Sequence, residues 1–153
     1  MQRVLNPRLW ERYTDTRVHT ARDNSDGGAN EQWVKHGTRT TDPAAIYGGD
    51  FGIDYRYCEG GMFGRAAYFS VATAYSHHGY RYRLPGQPGK AQVFVARIAA
   101  GRVENRAPDG GLRMPSRGFH SIRGDVNSGY GLAYMLYEHH RSYPAYLVTY
   151  TFE

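Results

Sequence analysis

Helix-start signals fall early in this chain and short strand-like segments take over from its middle, and that order constrains the fold more than anything else in the sequence. Asn6 before Pro7 is a strong opening. An Asn side chain accepts from an otherwise orphaned backbone amide, and proline at the first helical position lacks only a donor that has no partner there. Leu9, Trp10 and Tyr13 then recur on one face and predict a short helix. Thr41-Asp42-Pro43 repeats the device, followed by Ala44, Ala45 and Ile46 and stopped by Gly48-Gly49. Strand character appears at Gln32–His36, Ala67–Phe69, Ala91–Ala99, Ala133–Tyr137 and Tyr146–Phe152, with Ala91–Ala99 the longest. Thr20–Asn30 reads as a polar surface loop, Asp50–Gly64 as a long Gly- and aromatic-rich loop of the functional kind, and Ala107–Arg117 as irregular. Ser70 is expected to cap a small helix through Tyr75, and a polar turn containing Pro144 separates the last two strands. Helices first and many short strands after them predict an α+β fold.

Size and composition set the bounds. A chain of 153 residues with 41% hydrophobic content suits one domain, here expected over residues 1–153, since no repeat or internal linker divides it. A domain of this size buries roughly 68–70% of its unfolded surface and needs no disulfide or metal staple. The single cysteine, Cys58, excludes an internal disulfide and suits a reducing intracellular compartment, cytoplasmic or nuclear. Apolar runs such as Val93-Phe94-Val95-Ala96 are too short to span a bilayer, and MQRVLNPRLWERY contains no signal-peptide core. No membrane association is expected.

The net charge of +5 invites a nucleic-acid reading. The arginines are scattered, however, and Tyr80-Arg81-Tyr82-Arg83 mixes aromatic and basic residues over only four positions, which reads first as a solvated face or loop edge. A basic cleft would serve a dinucleotide pyrophosphate equally well.

The segments VLNPRLWERY, ANEQWVKHGT, FGIDYRYCEGGMFGRAAYFSVATAYSHHGY, LRMPSRGFHSI and YPAYLVTY follow one another in an order that resembles the PARP-type ADP-ribosyltransferase catalytic domain over most of the chain. Asp54-Tyr55-Arg56-Tyr57-Cys58 is similar to the DWRxC loop of its mono-ADP-ribosylating branch. The resemblance implies a catalytic domain without a regulatory helical domain. Its fold would be two packed antiparallel-rich sheets with short helices around an NAD cleft, and NAD+ would be its substrate. It also implies roles. His36 would hydrogen-bond a ribose hydroxyl while neutral, and Gly37 would hold the nicotinamide carboxamide through its backbone where a side chain would intrude. Thr38 completes that NAD-binding segment. Tyr68 matches the second member of the family's His-Tyr-Glu triad, Ser76 the carboxamide-binding hydroxyl, and Tyr80 the ring that stacks on nicotinamide, with Tyr82 as the fallback. The Asp50–Gly64 segment would close over the pyrophosphate, with Gly60-Gly61-Met62-Phe63-Gly64 offering amides.

The departure from the family pattern lies at the third triad position, where Ala133 stands in place of the polymerising members' glutamate. Alanine can neither hold the ribose 2′-OH nor activate an acceptor hydroxyl. It is either natural, in place of the Ile, Leu or Tyr of mono-transferring members, or a deliberate Glu-to-Ala replacement. Strand alternation puts Ala133, Met135 and Tyr137 on one face and Glu138 on the other, so Glu138 is no substitute. His77-His78 and His139-His140 lack the Cys or carboxylate partners of a metal site, and Cys58 reads as a free loop thiol rather than a nucleophile. The expectation is a monomeric mono-ADP-ribosyltransferase acting on a protein or nucleic-acid acceptor. The alternative is a catalytically silent interaction module of the same fold. An RNA 2′-phosphotransferase ranks below both, because its Arg/His set cannot be placed here.

Overall fold

Asn6 accepts from the Leu9 amide and Pro7 opens the helix that follows, α1 (Pro7–Asp23), in a computed structural model that describes residues 1–126 and 129–153. This helix is 17 residues long and overruns the loop expected from Thr20. The reason is tertiary: Thr20 is buried, bonds back to the Thr16 carbonyl, and receives a guanidinium nitrogen of Arg141 at 2.8 Å. Asn24 ends the helix, its amide on the Thr20 carbonyl and its side chain on Gly28. The second cap forms as expected, with Asp42 accepting from Ala44 to start α2 (Pro43–Tyr47) and Gly48 closing it.

The strands are β1 (Gln2–Arg3), β2 (Glu31–His36), β3 (Ala67–Ser70), β4 (Tyr82–Arg83), β5 (Lys90–Ala99), β6 (Val103–Asn105), β7 (Ser121–Asp125), β8 (Leu132–Leu136) and β9 (Ser142–Thr151). A 3-10 turn at Tyr55–Tyr57 lies in the long loop, and α3 (Thr73–Tyr80) follows β3. The α+β class stands. The two packed, antiparallel-rich sheets expected are linked into one hydrogen-bonded path, β1-β9-β5-β2-β3-β8-β7-β6, with β4 beside β5. Its two halves meet at a single register pair, Lys35 with Ser70. All neighbours are antiparallel except β6 and β7, which the sequence reading did not anticipate.

Two local expectations fail for reasons of register. Ser70 does not cap a helix. It is the last rung of β3, paired with Ala133 as well as Lys35, while α3 begins at Thr73 without a side-chain cap. Pro144 lies inside β9 rather than in a turn. The β5–β9 register slips there, with Val95 opposite Tyr146 but Arg97 opposite Tyr143, so Pro144 sits at a bulge where a missing donor costs nothing.

Two cores pack against the sheet, on opposite faces of β8. Leu9 and Tyr13 of α1 pack with Val34, Phe94, Ala96, Ile98, Tyr134 and Leu136 on one side. Phe63, Leu112, Ile122, Ala133, Met135 and Tyr137 form the other. The alternation along β8 is the one its sequence predicts, with successive residues feeding opposite cores. No helix among the described residues is long and apolar enough to cross a membrane.

Candidate functional site

The residues singled out from sequence gather around the seam between β2 and β3, where the ladder is thinnest. His36 ends β2 and is buried, its ring 5.1 Å from that of Phe69. Its Nδ1 lies 2.8 Å from the Tyr68 carbonyl. A carbonyl can only accept, so Nδ1 carries the proton and Nε2 is left with its lone pair. Burial holds the imidazole below its usual pKa, against the opposing pull of that carbonyl. The result is a neutral, oriented histidine.

Gly37 is required by the chain itself. A Cβ there would come within 2.2 Å of the Tyr80 carbonyl oxygen. The same carbonyl accepts from the Arg39 amide at 2.8 Å, so the segment after His36 is laced to the end of α3. Thr38 turns away from this junction, its hydroxyl donating to the Thr41 carbonyl at the start of α2. Tyr80 lies against Tyr75 with ring centroids 4.9 Å apart and carries the Arg39 guanidinium over its face. Tyr82 is drawn into β4 opposite Gln92 instead. Of the two tyrosines, Tyr80 is the one beside Gly37.

Tyr68 fastens the long loop to β3. The Phe63 amide donates to its hydroxyl and the hydroxyl donates to the Gly64 carbonyl, both at 2.8 Å. Gly61 passes so close that a Cβ would lie 2.7 Å from the Tyr68 oxygen, and at Gly64 (φ +78°) one would strike the Leu112 carbonyl. Farther back, Asp54 accepts from Arg56 and lies 2.9 Å from Nε2 of His139, anchoring the loop to the β8–β9 connection. Burial opposes ionisation of Asp54, yet the bonds from Arg56 and His139 hold its carboxyl down at about 2. Burial pushes the Cys58 thiol up to about 11, which removes thiolate character at neutral pH.

Ser76 is buried on α3 and shares a 2.9 Å hydrogen bond with Ser70. Ser70 pairs across the sheet with Ala133, and Ala133 pairs with Gly124 of β7. Ala133 has no exposed surface. Phe63 belongs to the same cluster and presses on Gly124 so closely that a Cβ there would lie 2.3 Å from the ring. Ser70, Phe63 and Gly124 therefore frame Ala133, and none of the three was placed beside it from sequence. The signal for Ser70 was the alternation of β3, which places it on the Tyr68 face. The others have no local signal. Glu138 lies past the end of β8 and accepts from Arg141 at 2.7 Å, and the same guanidinium donates to the Thr20 hydroxyl and the Ala99 carbonyl. His77 lies 2.7 Å from the Tyr150 hydroxyl. Among the described residues no group of three or more His, Cys, Asp or Glu is placed to hold a metal ion.

The poly(ADP-ribose) polymerase catalytic domain matches residues 1–130. Three curated relatives extend the likeness to nearly the whole chain. A probable poly [ADP-ribose] polymerase of Dictyostelium discoideum is 26% identical over 98% of this chain. Protein mono-ADP-ribosyltransferase PARP12 is 26% identical in Mus musculus and 29% identical in Homo sapiens, over 99% of this chain in each case. The chain spans 43% of the Dictyostelium protein and 21% of each mammalian one.

Proposed function

Because this chain belongs to the poly(ADP-ribose) polymerase catalytic-domain family, we propose that it removes nicotinamide from NAD+ and passes a single ADP-ribose to a protein or nucleic-acid acceptor. The observation that carries this reading is the neutral His36, held by the Tyr68 carbonyl with Nε2 unspent, beside a glycine packed against the Tyr80 main chain. That nitrogen accepts from a ribose hydroxyl and orients the sugar. The Gly37 backbone and the Ser76 hydroxyl address the carboxamide, and the Tyr80 ring covers the nicotinamide. The glycosidic C–N bond breaks with its electron pair going to the nicotinamide nitrogen. The acceptor then bonds to the anomeric carbon and gives up its proton. Positioning and stabilisation of the developing cation supply the rate. Ala133 offers no carboxylate to activate a second ribose hydroxyl, which favours a single transfer over chain growth.

Incubation with labelled NAD+ tests this reading. The native chain is expected to label itself or an added lysate with single units, and His36→Ala to abolish the signal. Equal labelling by both would sink the site assignment. Gly37 is a poor target, since any side chain collides with Tyr80 whatever binds there.

One observation favours a second reading, a silent module of the same fold. The Tyr68 hydroxyl both accepts from and donates to the loop, and Phe63 presses on Gly124 in the cluster that holds Ala133. A nicotinamide-mimicking inhibitor separates the two: a raised Tm reports an open pocket, and no shift together with no labelling identifies the silent module.

A further inference from the structure

Folding gives Tyr80-Arg81-Tyr82-Arg83 a neighbour that is distant in sequence. Arg39 lies across from it, and a cavity of about 540 Å³ opens between them, lined by Arg39, Thr40, His78, Arg81, Tyr82 and Arg83 among others. Three of the lining residues are arginines and none is acidic. Among the described residues neither Arg81 nor Arg83 forms an ion pair. Arg39 has one, to the exposed Glu59 at 3.2 Å.

Arg81 and Arg83 are held in place by means other than counter-charge. The Phe152 ring lies under both Arg81, at 4.2 Å, and Arg83, at 5.4 Å. Arg81 donates to the His77 carbonyl at 2.8 Å, while its buried Nε has no partner. Arg39 rests on the Tyr80 ring at 5.1 Å. Three like charges gathered on one cavity repel one another, and an anion placed between them relieves that repulsion.

We infer that this cavity binds the phosphates of a single-stranded nucleic acid. Planar guanidinium groups match phosphate oxygens with two parallel bonds. Tyr82 sets an aromatic ring among them, the pairing of charge and stacking surface that holds single strands without reading their sequence. The net charge of +5 adds long-range attraction. The cavity is built from the same two segments that meet at Gly37 and Tyr80, so a strand held here runs past the proposed transfer site. The binding itself does not depend on the transferase reading.

Fluorescence anisotropy with a labelled, 5′-phosphorylated single strand of roughly 12 nucleotides tests it, in the absence of NAD+. The expected result is binding that weakens steeply with salt. Arg39→Ala with Arg83→Ala should weaken it at least tenfold and reduce the log–log salt slope by about 1.4, at an unchanged Tm. Arg113→Ala, an exposed arginine on another loop, should leave binding alone. No binding at low salt, or equal binding by the double variant, overturns the inference. So does displacement by polyglutamate as effectively as by unlabelled oligonucleotide, which would identify an acidic peptide as the ligand. Because NAD+ is absent, a chain that binds the strand but fails to label acceptors separates this inference from the transferase reading.

Discussion

One half of the sheet is held by a long ladder while the two halves meet at a single rung, and the candidate site lies at that rung. β5 and β9 share a ladder from Lys90–Thr151 to Ile98–Ser142, covered by α1 and a continuous apolar core. β2 and β3 share one rung, Lys35 with Ser70. At the ladder, backbone pairing and burial hold the strands. At the seam, the His36 side chain reaches across to the Tyr68 carbonyl, while Ser76 and the loop tie β3 from its other neighbours through Ser70 and the Tyr68 hydroxyl. A seam with few ladder bonds leaves backbone and side-chain groups free to meet a ligand, whereas a fully paired ladder has none to spare. Regions that open locally are drawn from such thinly bonded parts of a fold.

The largest expected effect comes from the ladder. Phe94→Ala removes a fully buried ring from the first core and should cost about 3–5 kcal/mol, read as a drop in the urea midpoint with the whole molecule unfolding together. Tyr68→Phe removes the two hydroxyl bonds that pin Phe63 and Gly64, and should cost about 1–2 kcal/mol. Its signature is local, with faster amide exchange at Phe63 and little change in the m-value. If Tyr68→Phe destabilised the fold as much as Phe94→Ala, the seam would be as much a part of the global core as the ladder, and the contrast would fail.

The smallest effect is a pH dependence at the seam. The folded His36 pKa lies below its usual value because of burial, so between the two pKa values the unfolded chain binds the proton more readily. The contribution is fully present above the unfolded value of about 6.5 and is lost as pH falls through the folded one. Urea stability measured from about pH 7.5 down to pH 5.5 should therefore decline less in His36→Gln than in the native chain. Identical slopes would show that His36 is not held neutral.

Much of this was legible because it is local. The caps at Asn6 and Asp42 formed as read, since a side chain reaching an amide two or three residues ahead needs nothing from the rest of the fold. The alternation of Ala133 and Met135 against Tyr134 and Leu136 also appeared as read, because the strand period is a property of the backbone. The resemblance supplied the candidate site residues proposed above.

The α+β class, the helix starts and the faces of β8 were therefore already written in the order of residues along the chain. Only the tertiary structure decided the full length of α1, which continues because Thr20 meets Arg141, 121 positions away. It also placed Pro144 in a strand, through a bulge that appears only when β5 and β9 pair. It made Ser70 a rung between β2 and β8, set Tyr80 rather than Tyr82 beside Gly37, and brought Arg39 to face Arg81 and Arg83 around one cavity. The physical division is one of range. Capping and periodicity act over a few residues, whereas register, bulges and shared cavities exist only once distant segments of chain have met.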